Sequence, residues 1–150
     1  MLVTYPAIFY YDPSENVKYF VHFPDFKNSA TQGDDITDAM AMAADWLGIT
    51  VSDSLESGTD LPAASFINDL TLAGNNPFKD DADFELNYDP KKSFVSMVTV
   101  DLTNYLDASK PIKKTLTIPN WADKLGRKMK INFSETLTNA IAEQSTKQKV

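Results

Sequence analysis

The sequence predicts an α+β fold in two modules, on three observations. Aromatic and β-branched runs at 5–11, 17–23 and 94–102 surround one long helical stripe near 35–56, an order of β, β, α, β. Charge divides sharply along the chain. Residues 1–109 carry 5 lysines and no arginine against 18 acids, a net of −13, whereas 110–150 carry 8 lysines and 1 arginine against 3 acids, a net of +6. Finally, a short strand pattern at 112–118 runs straight into two short helical patterns. We therefore divide the chain into domains 1–109 and 110–150.

The first two strands read as a hairpin. Tyr5 to Tyr11 and Val17 to Phe23 flank Asp12-Pro13-Ser14-Glu15-Asn16, which is turn-forming in composition. Period-two alternation puts Val17, Tyr19, Val21 and Phe23 on one face, and Lys18, Phe20 and His22 on the other. Pro24 ends the strand because it has no N–H for a ladder. The helix follows from about Asp35 to Glu56. Asp34 or Asp35 caps it, and Asp38 favours its positive end. Ile36, Met40, Ala43 and Leu47 form its apolar stripe, widened by Ala39 and Trp46, with a weak point expected at Gly48. Residues 57–93 are rich in Gly, Pro, Asn and Asp, so 68–90 reads as a long surface excursion. Phe94 to Leu102 is the clearest strand.

After a hinge at 103–110 comes Ile112 to Ile118, closed by Pro119. A helix over 120–129, a turn at Lys130-Ile131 and a helix from Phe133 to about Gln144 follow, with Asn132 placed to cap the last. One strand has no ladder partner, and so short a segment buries too little surface to fold alone. Pairing two copies of the strand antiparallel, under four helices, solves both problems. Strand parity puts Ile112, Leu116 and Ile118 inward with Lys114 on the same side, and Lys113, Thr115 and Thr117 outward. Trp121, Leu125, Leu137 and Ile141 complete the expected dimerisation core. A ribbon with hydroxyls and ammonium groups outward fits a DNA major groove. The start of the second helix, at Phe133 and Ser134, offers N–H groups to a phosphate.

The composition excludes several classes. With no cysteine there is no disulfide framework, thiolate metal site or cysteine nucleophile. No segment approaches the roughly 20 apolar residues of a membrane helix. Residues 1–6 have neither the basic start nor the apolar core of a secretory signal, so a cytoplasmic protein is expected. A metal nuclease needs convergent acids. Asp12 falls instead on a turn and Asp34 and Asp35 at a helix start, and none of these, nor Asp25 or Asp101, pairs with another on one strand face, so neither metal nor cofactor is expected. His22, the single histidine, supports no triad and reads as a surface or partner-facing residue.

Two resemblances sharpen this reading. The tail, KKTLTIPNWADKL and INFSETLTNAIAE, resembles the ribbon-helix-helix repressors, although its Lys130-Ile131 turn lacks the glycine of many members. That resemblance implies operator contacts from Lys113, Thr115 and Thr117, with Lys114 beside them and phosphate contacts at Phe133 and Ser134. In the body, Tyr5-Pro6-Ala7, YFVHFPDF at 19–26, TQGDDITDAM at 31–40 and Leu61-Pro62-Ala63-Ala64-Ser65 are similar to the HicB antitoxins. The usual blocks are altered at Phe26, Asp38 and Ala64. This second resemblance implies a degraded RNase H-like domain that is not an enzyme. It also implies a HicA-type toxin partner, a small basic mRNA-cleaving ribonuclease with a catalytic histidine. An acidic body suits such a partner, and the exposed ends of the early strands supply candidate toxin contacts at Asp12, Glu15 and Asp25. The combined expectation is an antitoxin that occludes its toxin and represses its own operon. The alternatives are a ribbon-helix-helix regulator that senses a small molecule, and an active RNase H-like nuclease.

Overall fold

The structure is a computed structural model that describes residues 1–107 and 110–147. It divides into one unit of Leu2–Tyr105 and a second unit from Leu106 onward, to which Met1 also belongs. The boundary expected after Ser109 lies outside the described residues.

The first unit is a four-stranded antiparallel sheet with one long helix. The strands are β1 (Leu2–Tyr11), β2 (Tyr19–His22), β3 (Thr31–Gly33) and β4 (Phe94–Asp101), in the order β3-β2-β1-β4. The hairpin register pairs Phe9 with Val21 and Tyr11 with Tyr19, while β4 pairs along nearly all of β1, from Leu2 with Asp101 to Phe9 with Phe94. β3 was not expected. Its three residues are too few for an alternation signal, and the β2–β3 connection turns at Asn28, whose φ of 55° suits asparagine.

Helix α1 (Ile36–Ser57) starts at Asp35, whose carboxylate accepts the Asp38 N–H at 2.8 Å. The Asp38 carboxylate in turn accepts the Asp34 N–H at 2.9 Å, giving a reciprocal cap built from aspartates. Gly58, at φ 71°, ends the helix, and the Thr59 N–H reaches back to the Ser54 carbonyl. The buried stripe is Ala39, Ala43, Leu47 and Val51; Ile36, expected inside, lies largely exposed. Small residues win these positions because the helix sits close to the sheet. A Cβ at Gly33 would come 2.3 Å from the Ala39 nitrogen. The expected weak point at Gly48 is continuous helix, and the Tyr105 ring occupies the space a side chain there would need. Each fully buried Leu47 or Val51 side chain contributes roughly 1.5–3 kcal/mol.

Parity along β1 separates the two faces of the sheet. Val3, Tyr5, Ala7 and Phe9 belong to the α1 face, where Phe23 stacks on Trp46 at 5.0 Å. On the opposite face Ile8 and Tyr10 are buried as well. Tyr10 is covered by the irregular segment after α1. The Tyr10 hydroxyl donates to the Leu72 carbonyl at 2.7 Å, and its ring meets Tyr88 edge-on at 4.9 Å. Burial raises the Tyr10 pKa, and the neighbouring Tyr88 adds to the effect. The segment 68–90 is thus the second layer of the sheet.

The second unit contains α2 (Asn120–Lys128) and α3 (Phe133–Lys147). Pro119 is the residue before α2, and no side chain caps that end. Lys130 turns the chain at φ 54°, the role a glycine would usually take. Asn132 caps α3 by accepting the N–H groups of Ser134 and Glu135 at 3.1 and 3.2 Å. The Phe133 ring covers Gly126, where a Cβ would lie 2.5 Å from the ring. Residues 112–118 form no ladder within the described residues of this chain, as a lone strand segment without a neighbour must.

Candidate partner-binding surfaces

The sequence blocks of the first unit converge on one another. Asp25 is half-buried, and its carboxylate accepts both the Ser65 N–H, at 3.0 Å, and the Ser65 hydroxyl. Tyr5 donates its hydroxyl to the Pro62 carbonyl at 2.7 Å and sets its ring edge-on to Phe26 at 4.7 Å. Phe26 packs edge-on against Trp46 of α1. Burial raises the Tyr5 pKa, with a smaller push from Asp25. These residues hold the chain after α1 against the sheet, which is a scaffold task.

Of the three candidate toxin contacts, the structure brings two together. Asp12 and Glu15 line an open cleft of about 380 Å³ between the β1–β2 turn and residues 78–87. Asp12 accepts the Ser14 N–H and hydroxyl at 2.9 and 2.7 Å, and these bonds hold its pKa below the ordinary value. Asp25 does not line this cleft and is engaged by Ser65. The cleft also contains Phe78, Phe84 and Glu85, none of which the sequence reading singled out. The available signal was the recurrence of aromatics at 78, 84 and 88 inside an otherwise polar, acidic stretch.

Among the described residues no group of three or more His, Asp or Glu side chains could hold a metal ion. Asp101 is bound to the Thr103 hydroxyl and N–H at 2.7 and 3.0 Å, which lower its pKa to about 2. His22 corrects the expectation of a surface residue. It is 8% exposed, and its Nδ1 lies 3.1 Å from the Ser29 carbonyl and 2.9 Å from the Ser29 hydroxyl. Burial lowers its pKa, opposed by the Ser29 carbonyl. The same hydroxyl accepts the Phe23 N–H and donates to the Phe23 carbonyl, both at 2.8 Å, so His22 and Ser29 lock the β2–β3 connection.

In the second unit Lys113, Lys114, Thr115 and Thr117 are all exposed, on a segment that is neither helix nor strand. Phe133 and Ser134 stand at the start of α3, but the Ser134 N–H already serves the Asn132 cap. The expected dimerisation residues are open to solvent in the single chain. Ile112 is 84% exposed, Trp121 69% and Ile141 61%, with Leu116, Ile118 and Leu125 also exposed and Leu137 half-exposed.

Comparison with known proteins connects this arrangement to a family. The sequence model of the HicB-like antitoxin of bacterial toxin–antitoxin systems matches residues 4–73. A chain of a toxin–antitoxin complex from Streptococcus pneumoniae is 62% identical, with 96% of this chain and 99% of that one covered at a TM-score of 0.71. This chain belongs to the HicB-like antitoxin family. The antitoxin HicB of Burkholderia pseudomallei, 22% identical with 95% and 98% covered and a TM-score of 0.55, shares the fold. No curated protein matches the chain. Within the HicB-like family frame, the blocks at 5–7, 19–26, 31–40 and 61–65 are the residues that fix β1, β2 and α1 against one another. Among the described residues, no helix is long and apolar enough to cross a membrane.

Proposed function

We propose that this chain neutralises a HicA-type toxin, a small basic mRNA-cleaving ribonuclease, and represses its own operon. The first unit occludes the toxin, and the second binds operator DNA as a dimer. The observation that carries this reading is the division of charge, −13 over residues 1–109 and +6 over 110–150, in a chain of an antitoxin family. A ribonuclease presents a basic face to RNA phosphates, and an acidic body is attracted to that face. Occlusion needs no catalytic group, so the domain acts without enzymatic activity. The similar Streptococcus pneumoniae chain comes from a toxin–antitoxin complex, which supports a toxin partner here.

The second unit supports a ribbon-helix-helix reading. Its apolar residues from Ile112 to Ile141 find little cover within their own chain. Two copies would pair their 112–118 segments antiparallel and bury Ile112, Leu116 and Ile118 beneath Trp121, Leu125, Leu137 and Ile141. Lys113, Thr115 and Thr117 then face a major groove. Phe133 and Ser134 lie where the backbone of α3 meets a phosphate.

The proposal expects a small basic protein to be encoded beside this gene, and co-expression with it is the test. Growth arrest by that protein alone should be relieved by this chain, and the two should co-purify. Unrelieved arrest with no co-purification contradicts the proposal.

A further inference from the structure

The cleft between the β1–β2 turn and residues 78–87 is walled by a train of rings. Tyr10 lies 6.2 Å from Phe20, Phe20 5.8 Å from Phe78, and Phe78 4.6 Å from Phe84. The train runs from the buried sheet outward and ends at Phe84, which is 49% exposed. A large aromatic ring left half in water, at the mouth of a cleft whose other wall is a strand pair, is an unfilled apolar contact. A second groove of about 480 Å³ shares Phe78, Phe84, Glu85 and Leu86 with the first, so Phe84 forms a ridge between the two.

The charge around these rings selects the occupant. Asp12, Glu15 and Glu85 line the first groove, and Asp81, Asp83 and Glu85 the second. Each groove has one cation, Lys18 or Lys79. Both ammonium groups are turned onto backbone carbonyls: Lys18 onto Pro13 and Glu15, and Lys79 onto Gly74 at 2.9 Å. With three carboxylates against one ammonium in each groove, the field at the aromatic ridge is negative. An aromatic face combined with surrounding carboxylates is the chemistry that receives a guanidinium or ammonium group. An apolar side chain would gain from the rings but make no use of the surrounding carboxylates.

We infer that this aromatic–acidic cleft is the docking surface for basic side chains of a protein partner, received against Phe84 between Glu15 and Glu85. The inference rests on the antitoxin reading and locates its contact on the 78–87 segment.

The test uses the full-length chain and, as probe, the small basic HicA-type toxin that the proposed function expects beside its gene, with affinity measured at low and high salt. Phe84→Ala should weaken binding about tenfold with an unchanged salt slope, because it removes a ring and no charge. The double variant E15Q/E85Q should weaken binding and flatten the salt slope. Asp53→Asn, an exposed acid of α1 remote in sequence from the cleft, should change neither. Normal thermal unfolding of each variant shows that folding is intact, which the exposure of Glu15, Phe84 and Glu85 favours. If wild type binds and both cleft variants bind as tightly, the cleft is not the docking surface. If wild type itself does not bind, the antitoxin reading falls, and the cleft inference with it.

Discussion

Ser65 gives both its N–H and its hydroxyl to the carboxylate of Asp25, forty residues earlier in the chain. That pair ties the segment leaving α1 to the turn after β2, and with it the route of residues 66–93 toward the far face of the sheet. Asp25 therefore has a part in holding the fold. Asp25→Ala leaves the partly buried Ser65 N–H without its acceptor and should cost about 1–3 kcal/mol of stability. A shift of the urea midpoint measures this, and an unchanged midpoint contradicts it.

Gly33 and Gly58 should respond differently to alanine. At position 33 the added Cβ meets the Ala39 backbone at 2.3 Å, and backbone cannot swing aside. Gly33→Ala should push α1 off β3 and cost about 3 kcal/mol or more. At Gly58 nothing lies within 4 Å, and the cost is only that of φ 71°, about 1 kcal/mol. Equal losses in thermal unfolding would contradict this ordering.

His22 gives the first unit a pH dependence of definite sign. Its folded pKa is held below the ordinary 6.5 by burial, so the unfolded chain takes up a proton first as pH falls. The contribution is fully present above pH 6.5 and is lost as pH falls from there toward the folded pKa. Unfolding measured between pH 7.5 and 5.5 should show stability falling with acid, and His22→Gln should flatten that slope. An identical slope in the variant contradicts the assignment.

The second unit should associate through its apolar face and read DNA through its polar one. Leu116→Asp should convert a dimer to monomer in sedimentation and abolish operator binding. Lys113→Ala and Thr115→Ala should leave the dimer intact and each cost about 1–3 kcal/mol in operator affinity if the side chain meets a base. Toxin binding should survive all three. Dimeric variants with wild-type operator affinity would remove the ribbon from the DNA contact.

How legible this was in the sequence depended on the range of the signal. The hairpin, α1 and β4 were readable because their patterns are local and long. β3 was not, since Thr31–Gly33 has only three residues and its place is set by pairing with Tyr19–Val21. Of the expected α1 stripe, Ala39, Ala43 and Leu47 are buried, whereas Ile36 at its start is exposed. His22 alternates outward by parity, yet the Ser29 turn covers it. The widest gap was 68–90, which composition describes as surface loop. Phe78, Phe84 and Tyr88 carry no periodicity, and their target, Tyr10 and Phe20, lies more than fifty residues away. Asp12 and Glu15 were legible as candidate contacts because a turn exposes its residues, whereas Glu85 was not.

The most direct test is inhibition, by the purified full-length chain, of the ribonuclease activity of the HicA-type toxin that the proposal expects. The account predicts that cleavage falls in proportion to added chain and stops at a fixed molar ratio. Undiminished RNA cleavage in the presence of excess chain would contradict it.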